Sequence, residues 1–182
     1  MDYHKLSKEL SYVLRHAPWS AGLELDEEGW VRTDHLIEAL RERKEWVQLQ
    51  EGDLQAIIDA IPKKRHELAA GKIRAIYGHS VPDQIAREPK KPPSVLYHGT
   101  SPGLLTLIME QGLKPMARQN VHLSIEAATA WNVGRRKDKK PVLLRIDAER
   151  AWRDGVAFYE GDEVVWLADF IPAAYVLIEE EK

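Results

Sequence analysis

The sequence predicts an α+β protein built as two lobes, and three observations carry that expectation. The first half holds three helical patterns followed by two short strand patterns around Ala70-Gly71. The second half holds many short strand patterns and only two helices. Between them lies Arg87-Glu88-Pro89-Lys90-Lys91-Pro92-Pro93-Ser94. Prolines this close together fix φ and lack N–H donors, so neither a helix nor a central strand runs through them. The stretch reads as a stiff, extended linker.

Leu6, Leu10, Val13 and Leu14 recur at helical spacing, in a helix that ends before Pro18. Gly22-Leu23-Glu24-Leu25-Asp26 alternates like a short strand, Glu28-Gly29 is a turn, and Trp30-Val31 follows. Thr33 or Asp34 is a candidate cap for a helix carrying Leu36, Ile37 and Leu40. Asp53 is a candidate cap for one carrying Leu54, Ile57, Ile58 and Ile61. Strands are expected over 66–69 and 72–77. Three helices and then a hairpin is the order of a winged helix. In the second half, strands are expected over 95–98, 121–124, 142–146, 155–159, 164–167 and 175–178. Helices are expected over 103–111, closed by Gly112, and over 125–131. Short strands with so few helices suggest a split or mixed sheet.

A chain of 182 residues, 44% hydrophobic and 30% charged, has the composition of a soluble globular protein with a real core. No apolar run approaches the ~20 residues of a bilayer span. The N-terminus has no apolar signal-peptide core. The expected location is therefore the cytoplasm, with no membrane partner. Absence of cysteine excludes a disulfide framework, a thiol nucleophile and a cysteine-ligated zinc. The net charge is −3 and neither half is basic, so any polyanion must be held by a local cluster of cations.

Candidate clusters follow from that constraint. Arg15-His16 ends the first helix, either as a basic C-terminus favoured by the macrodipole or as an anion contact. Arg74 alternates with apolar residues ahead of Gly78-His79-Ser80. Arg118 sits in a loop before the His122 strand. Each arginine is either a solvated surface group or a planar fork for two phosphate oxygens. His98-Gly99-Thr100 follows a strand. It reads as a turn, or as a dinucleotide contact in which His and Thr meet ribose hydroxyls and Gly admits a close backbone approach. Neither G-x-G-x-x-G nor a Walker loop is present. The basic runs are Lys63-Lys64-Arg65 and Gly134-Arg135-Arg136-Lys137-Asp138-Lys139-Lys140, the latter a solvated surface or a pyrophosphate contact.

Together, nine ordered blocks resemble the RNA 2′-phosphotransferase family. They begin with Leu6-Ser7-Lys8-Glu9-Leu10-Ser11-Tyr12-Val13-Leu14-Arg15-His16. Next come Gly22–Asp26 with Gly29-Trp30-Val31, Ile73-Arg74-Ala75 with Gly78-His79-Ser80, and Leu96-Tyr97-His98-Gly99-Thr100. Then follow Gly112-Leu113 with Arg118, Val121-His122-Leu123-Ser124, Val133-Gly134-Arg135-Arg136, Phe158-Tyr159 and Val165-Trp166-Leu167. The pattern departs at Glu163-Val164, where asparagine-glycine is expected, at Lys137 in place of histidine, and at His66 in place of phenylalanine.

The resemblance implies a winged-helix RNA-binding lobe over residues 1–89 and an NAD-binding, ADP-ribosyltransferase-like split-sheet lobe over 90–182. It implies a catalytic set of Arg15, His16, Arg74 and Arg118. NAD, as co-substrate, would be bound by His98, Gly99, Thr100, His122, Ser124 and Arg136. RNA would be contacted by Arg65, His79 and Ser80. Val165 falls where protein-modifying relatives often carry glutamate. The implied substrate is a tRNA-like RNA with an internal 2′-phosphate. That phosphate attacks the nicotinamide ribose, nicotinamide leaves, and the ribose 2″-hydroxyl then attacks phosphorus. The products are 2′-OH RNA and ADP-ribose 1″,2″-cyclic phosphate. His16 is open to two roles, phosphate contact or proton shuttle. No metal is expected, because arginines supply the positive charge, and the chain is expected to act as a monomer. Two alternatives stand beside this reading: an ADP-ribosyltransferase that stops after the first step, and a winged-helix nucleic-acid-binding regulator with a ligand-sensing domain.

Overall fold

The computed structural model describes residues 1–179 and divides the chain into two compact units, Met1–Arg87 and Glu88–Lys182. The first is mostly helical around a small sheet. The second is organised on a larger sheet, so the protein is α+β.

In the first unit the order is α1 (Tyr3–Arg15), β1 (Trp30–Arg32), α2 (Thr33–Arg41), α3 (Glu51–Ala60), β2 (His66–Ala69) and β3 (Lys72–Ala75). The Asp2 carboxylate accepts the Lys5 N–H at 3.0 Å and starts α1. Leu6, Leu10, Val13 and Leu14 are all at most 1% exposed and pack with Leu36, Leu40, Leu54, Ile57 and Ile73. Burying each such side chain contributes roughly 1.5–3 kcal/mol. Ala70 (φ 49°) and Gly71 (φ 72°) form the two-residue turn joining β2 to β3. The sheet order is β1-β3-β2, antiparallel throughout.

Several local expectations are corrected here. Residues 22–26 form no strand. The Asp26 N–H closes on the Trp30 carbonyl at 3.0 Å, so the segment curls back on its own chain. Neither Thr33 nor Asp34 caps α2, because both lie inside the helix. The Thr33 hydroxyl instead reaches the Gly71 carbonyl at 3.1 Å. Asp53 lies within the first turn of α3 and accepts the Gln50 N–H at 2.8 Å. Strand β3 stops at Ala75, before Tyr77.

In the second unit the elements are β4 (Val95–Thr100), α4 (Leu105–Gln111), β5 (Val121–Ser124), α5 (Ala127–Gly134), β6 (Val142–Asp147), α6 (Ala148–Arg153), β7 (Phe158–Glu160), β8 (Val165–Ala168) and β9 (Val176–Ile178). Residues 102–104 form a 3₁₀ turn ahead of α4, and 173–175 another before β9. Among the described residues the second unit therefore holds three α-helices, not two. Helix α6 spans only six residues and starts where the Asp147 carboxylate accepts the Arg150 N–H. The sheet order is β7-β8-β5-β4-β6-β9, and every pair is antiparallel, so the sheet is not mixed. Strands β4 and β6 pair over six residues, but β4 and β5 are in register at one pair, Tyr97 with Ser124. The two strands of that seam, in the middle of the sheet, carry His98, Gly99, Thr100, His122 and Ser124. Among the described residues no helix is long and apolar enough to cross a membrane.

Candidate active site

In the first unit the C-terminal end of α1 meets the segment that follows β3. The Ser80 N–H donates to the Arg15 carbonyl at 2.8 Å, and the His16 Nδ1 and Ser80 hydroxyl are 2.8 Å apart. Two backbone-adjacent residues are thereby clamped by one serine, 64 positions beyond His16 in sequence. The Arg15 guanidinium donates to the Arg65 carbonyl at 3.3 Å and lies over the Tyr77 ring at 5.7 Å. The Lys63 ammonium also approaches that ring, at 5.9 Å. Lys63 and Lys64 are exposed and Arg65 is half-buried, so this basic run flanks Arg15.

Arg74 projects from β3 between its two neighbouring strands. Its Nε donates to the Glu67 Oε2 at 2.9 Å, and its guanidinium lies 4.3 Å from the centre of the Trp30 ring. His79 is only 2% exposed, and its ring nitrogens have no hydrogen-bond partner among the described residues. Burial, reinforced by Arg87, Arg15, His16 and Arg74, lowers its pKa to about 3. The neutral ring thus sits near three guanidinium groups and the His16 ring. It is part of the wall rather than the surface: a Cβ added at Gly29 would lie 3.3 Å from its Nε2. Burial, with Arg15 and Arg65 nearby, likewise lowers His66 to about 3, and its Nε2 lies 3.2 Å from the Ser11 hydroxyl.

In the second unit the His98 Nδ1 is 2.8 Å from the His122 carbonyl, across the β4–β5 seam. A carbonyl only accepts, so Nδ1 carries the proton. Burial lowers the pKa of His98, and the neutral ring keeps Nε2 as an acceptor. The Arg118 Nη1 is 3.3 Å from the His122 Nε2, so in this pairing His122 accepts. Arg118 is exposed. Thr100 and Ser124 are 1% and 7% exposed. Arg136 is exposed in the turn after α5, where its N–H closes on the Val133 carbonyl. Gly99 has a structural use of its own, since a Cβ there would lie 2.1 Å from the Ala130 carbonyl oxygen of α5.

The first unit therefore brings together Arg15, His16, Arg74, His79 and Ser80, with Arg65 at the edge. The second brings together His98, Gly99 and His122, with Arg118 beside them. Residue-by-residue reading missed Glu67 and Trp30, which hold Arg74, and Asp169. The Asp169 carboxylate accepts from Asn120 at 2.9 Å and from the Tyr159 hydroxyl at 2.8 Å, tying down the chain between Arg118 and β5. Trp30 lies in a quoted block but carries no charge to mark it, and Glu67 and Asp169 have no local motif, because their partners lie far off in the sequence or on another strand.

The sequence profile of the RNA 2′-phosphotransferase, Tpt1 / KptA family matches residues 2–170. The chain belongs to this family. It is similar, at 52% identity, to a protein of Acetivibrio thermocellus named "Probable RNA 2′-phosphotransferase", with 98% of each chain covered. A Bacillus thuringiensis protein of the same name is also 52% identical, with 97% of this chain and 95% of its own covered. One from Pyrococcus horikoshii is 43% identical, over 92% of this chain and 94% of its own. Similarity of this extent spans both units, so membership rests on the whole arrangement and not on one motif.

Proposed function

We propose that this protein removes an internal 2′-phosphate from RNA by transferring it to NAD. The RNA phosphate attacks the anomeric carbon of the nicotinamide ribose and nicotinamide leaves. The ribose 2″-hydroxyl of the ADP-ribosylated RNA then attacks phosphorus. That step frees 2′-OH RNA and ADP-ribose 1″,2″-cyclic phosphate. The observation that carries this reading is the end of α1 in the first unit, where Ser80 holds both the Arg15 carbonyl and the His16 ring at 2.8 Å.

The first unit, read as a winged helix, binds the RNA. Its order of α1, β1, α2, α3 and a β2–β3 hairpin joined by β1 supports that reading. Arg15, His16 and Arg74 hold the phosphate, with Ser80 orienting His16 and Arg65 following the strand. The dianionic phosphate is already a competent nucleophile, so these residues need only place it and balance its charge. His79, buried, shapes the pocket without touching RNA.

The second unit, read as an ADP-ribosyltransferase-like lobe, binds NAD. The residues there suit it: neutral His98 offers Nε2 to a ribose hydroxyl, Thr100 and Ser124 bring hydroxyls to the seam, and Arg136 brings charge for a pyrophosphate. Bound NAD supplies a leaving group that departs as neutral nicotinamide. Arg118, the exposed guanidinium beside His122, is assigned to the second step, where charge builds on the non-bridging phosphate oxygens. One aimed donor there is worth roughly 3–4 kcal/mol. Val165 cannot act as a base, in keeping with a nucleophile that is already ionised. The protein acts without a metal, as a cytoplasmic monomer on tRNA-like RNA.

The test is incubation of the protein with NAD and a short RNA bearing one internal 2′-phosphate, with and without EDTA. The expected products are dephosphorylated RNA, nicotinamide and the cyclic phosphate, in equal yield in both arms. An RNA recovered unchanged, or one that retains ADP-ribose as an end product, contradicts the proposal.

A further inference from the structure

The cation at Arg74 is held by a cross-strand row that the proposed reaction does not itself require. In the three-stranded sheet Arg74 pairs in register with Trp30 of β1 on one side and with Glu67 of β2 on the other. Residues directly opposite one another on neighbouring strands project from the same face. The row Trp30–Arg74–Glu67 is thus one arginine between an aromatic ring and a carboxylate.

Each neighbour takes a different part of the guanidinium. Trp30 takes the flat face, with the guanidinium carbon 4.3 Å from the ring centre. Its indole N–H is anchored on the Glu28 carboxylate at 3.2 Å, which limits rotation of the ring. Glu67 takes one edge: the Arg74 Nε and Nη2 both lie 2.9 Å from its Oε2. The opposite nitrogen, Nη1, has only long contacts, 3.5 Å to the Glu28 carbonyl and 3.8 Å to the Glu28 carboxylate. A guanidinium has two edges able to grip a pair of oxygens, the Nε–Nη2 edge and the Nη1–Nη2 edge. Glu67 occupies the first, and the second is the edge left for a phosphate.

We propose that Glu67 is a positioning residue, which with Trp30 fixes Arg74 so that its Nη1–Nη2 edge meets the RNA 2′-phosphate. This rests on the phosphate site proposed above. The arginine side chain is long and loses several rotamers on binding, so holding it beforehand removes that cost from the binding step. A carboxylate this close to an anion site also repels the anion, so positioning must outweigh repulsion if the arrangement favours binding. That balance makes the proposal decisive to test: removing Glu67 weakens phosphate binding if it positions, and strengthens it if it only competes.

The experiment compares wild type with Glu67→Ala, Glu67→Gln and Glu67→Asp, using a short RNA with one internal 2′-phosphate. Calorimetry without NAD reads binding, and thermal melting checks the fold. Glu67→Ala is expected to bind about tenfold more weakly, while Glu67→Gln, which keeps an oxygen to accept from Nε, stays within about threefold of wild type. Glu67→Asp keeps the charge but withdraws it by one methylene. It is expected to fall on the weak side and supplies the comparison if the alanine variant does not fold. The same RNA lacking the 2′-phosphate should bind wild type and variants alike. Unchanged or tighter binding in the Ala and Asp variants overturns the proposal, as does a Gln variant as impaired as Ala. Adding NAD to wild type separately tests the transfer reaction. Its failure would sink that reading while the binding comparison still decides the role of Glu67.

Discussion

Gly99→Ala is expected to disable the second unit although it adds a single methyl group. The added carbon would lie 2.1 Å from the Ala130 carbonyl oxygen, 2.9 Å from the Gly134 nitrogen and 3.0 Å from the Ala130 carbonyl carbon. All three are backbone atoms of α5, so no rotamer change relieves the clash. Restoring ordinary contact at about 3.4 Å requires α5 to move more than 1 Å from β4. Gly134 faces Gly99 across this contact, since a Cβ there would lie 3.1 Å from the Gly99 Cα and 2.8 Å from the Pro141 Cβ, so helix and strand already meet backbone to backbone. Overpacking of this kind costs roughly 1–3 kcal/mol and sometimes more, against less than ~1 kcal/mol gained from burying a methyl. For a unit of this size a net loss of roughly 1–2 kcal/mol lowers the melting temperature by about 5–15 °C. Gly103→Ala is the control, because nothing lies within 4 Å of its added carbon. Differential scanning calorimetry of the full chain, with NAD binding measured below the transition, checks both. A Gly99→Ala protein that melts within about 2 °C of wild type and binds NAD normally would refute the packing argument.

Two further outcomes follow from the geometry. Arg74→Ala and Arg118→Ala should slow the second step more than the first, so ADP-ribosylated RNA accumulates in a single-turnover time course, whereas His98→Ala should slow the first step with no such build-up; turnover that falls in both arginine variants with no intermediate at any time contradicts this division. His66 and His79 have folded pKa values of about 3, far below the ordinary histidine value of 6.5, because burial and nearby cations disfavour the charged ring. The unfolded chain therefore binds more protons between those values, and stability that is complete above pH 6.5 is lost as pH falls through the window. By pH 5 the loss is about 2 kcal/mol for each ring. Urea unfolding at pH 7.5 and pH 5 should show it, and His79→Phe should remove part of the difference; a midpoint independent of pH over that range would exclude it.

What was legible in the sequence was local. Leu6, Leu10, Val13 and Leu14 declare α1 because a 3.6-residue period and burial coincide, and β2 is legible because Ala70-Gly71 is a turn of fixed length. Helix α6 was invisible because its buried residues are Ala148 and Ala151, too small to give a hydrophobic signal. Residues 22–26 alternate Leu23 and Leu25 as a strand would, but no partner strand comes to them. Strand identity depends on that partner, and the sequence of one segment does not contain it.

The same distinction runs through the site. Arg15, His16, Arg74 and Ser80 were legible as residue types, since a phosphate demands cations and donors. What makes them a cluster is one hydrogen bond spanning 64 residues and one histidine, His79, that burial keeps neutral beside them. Gly99 suits either a turn or a close ligand approach in the sequence, and the structure uses its missing side chain to seat α5. Glu67 carried no signal at all, because an acidic residue in a candidate anion site looks like evidence against the site. Only the β2–β3 register turns it into a support. A reader of sequence counts charges, but at Arg74 the chemistry is set by which edge of the guanidinium each neighbour occupies, and that is decided by strand pairing.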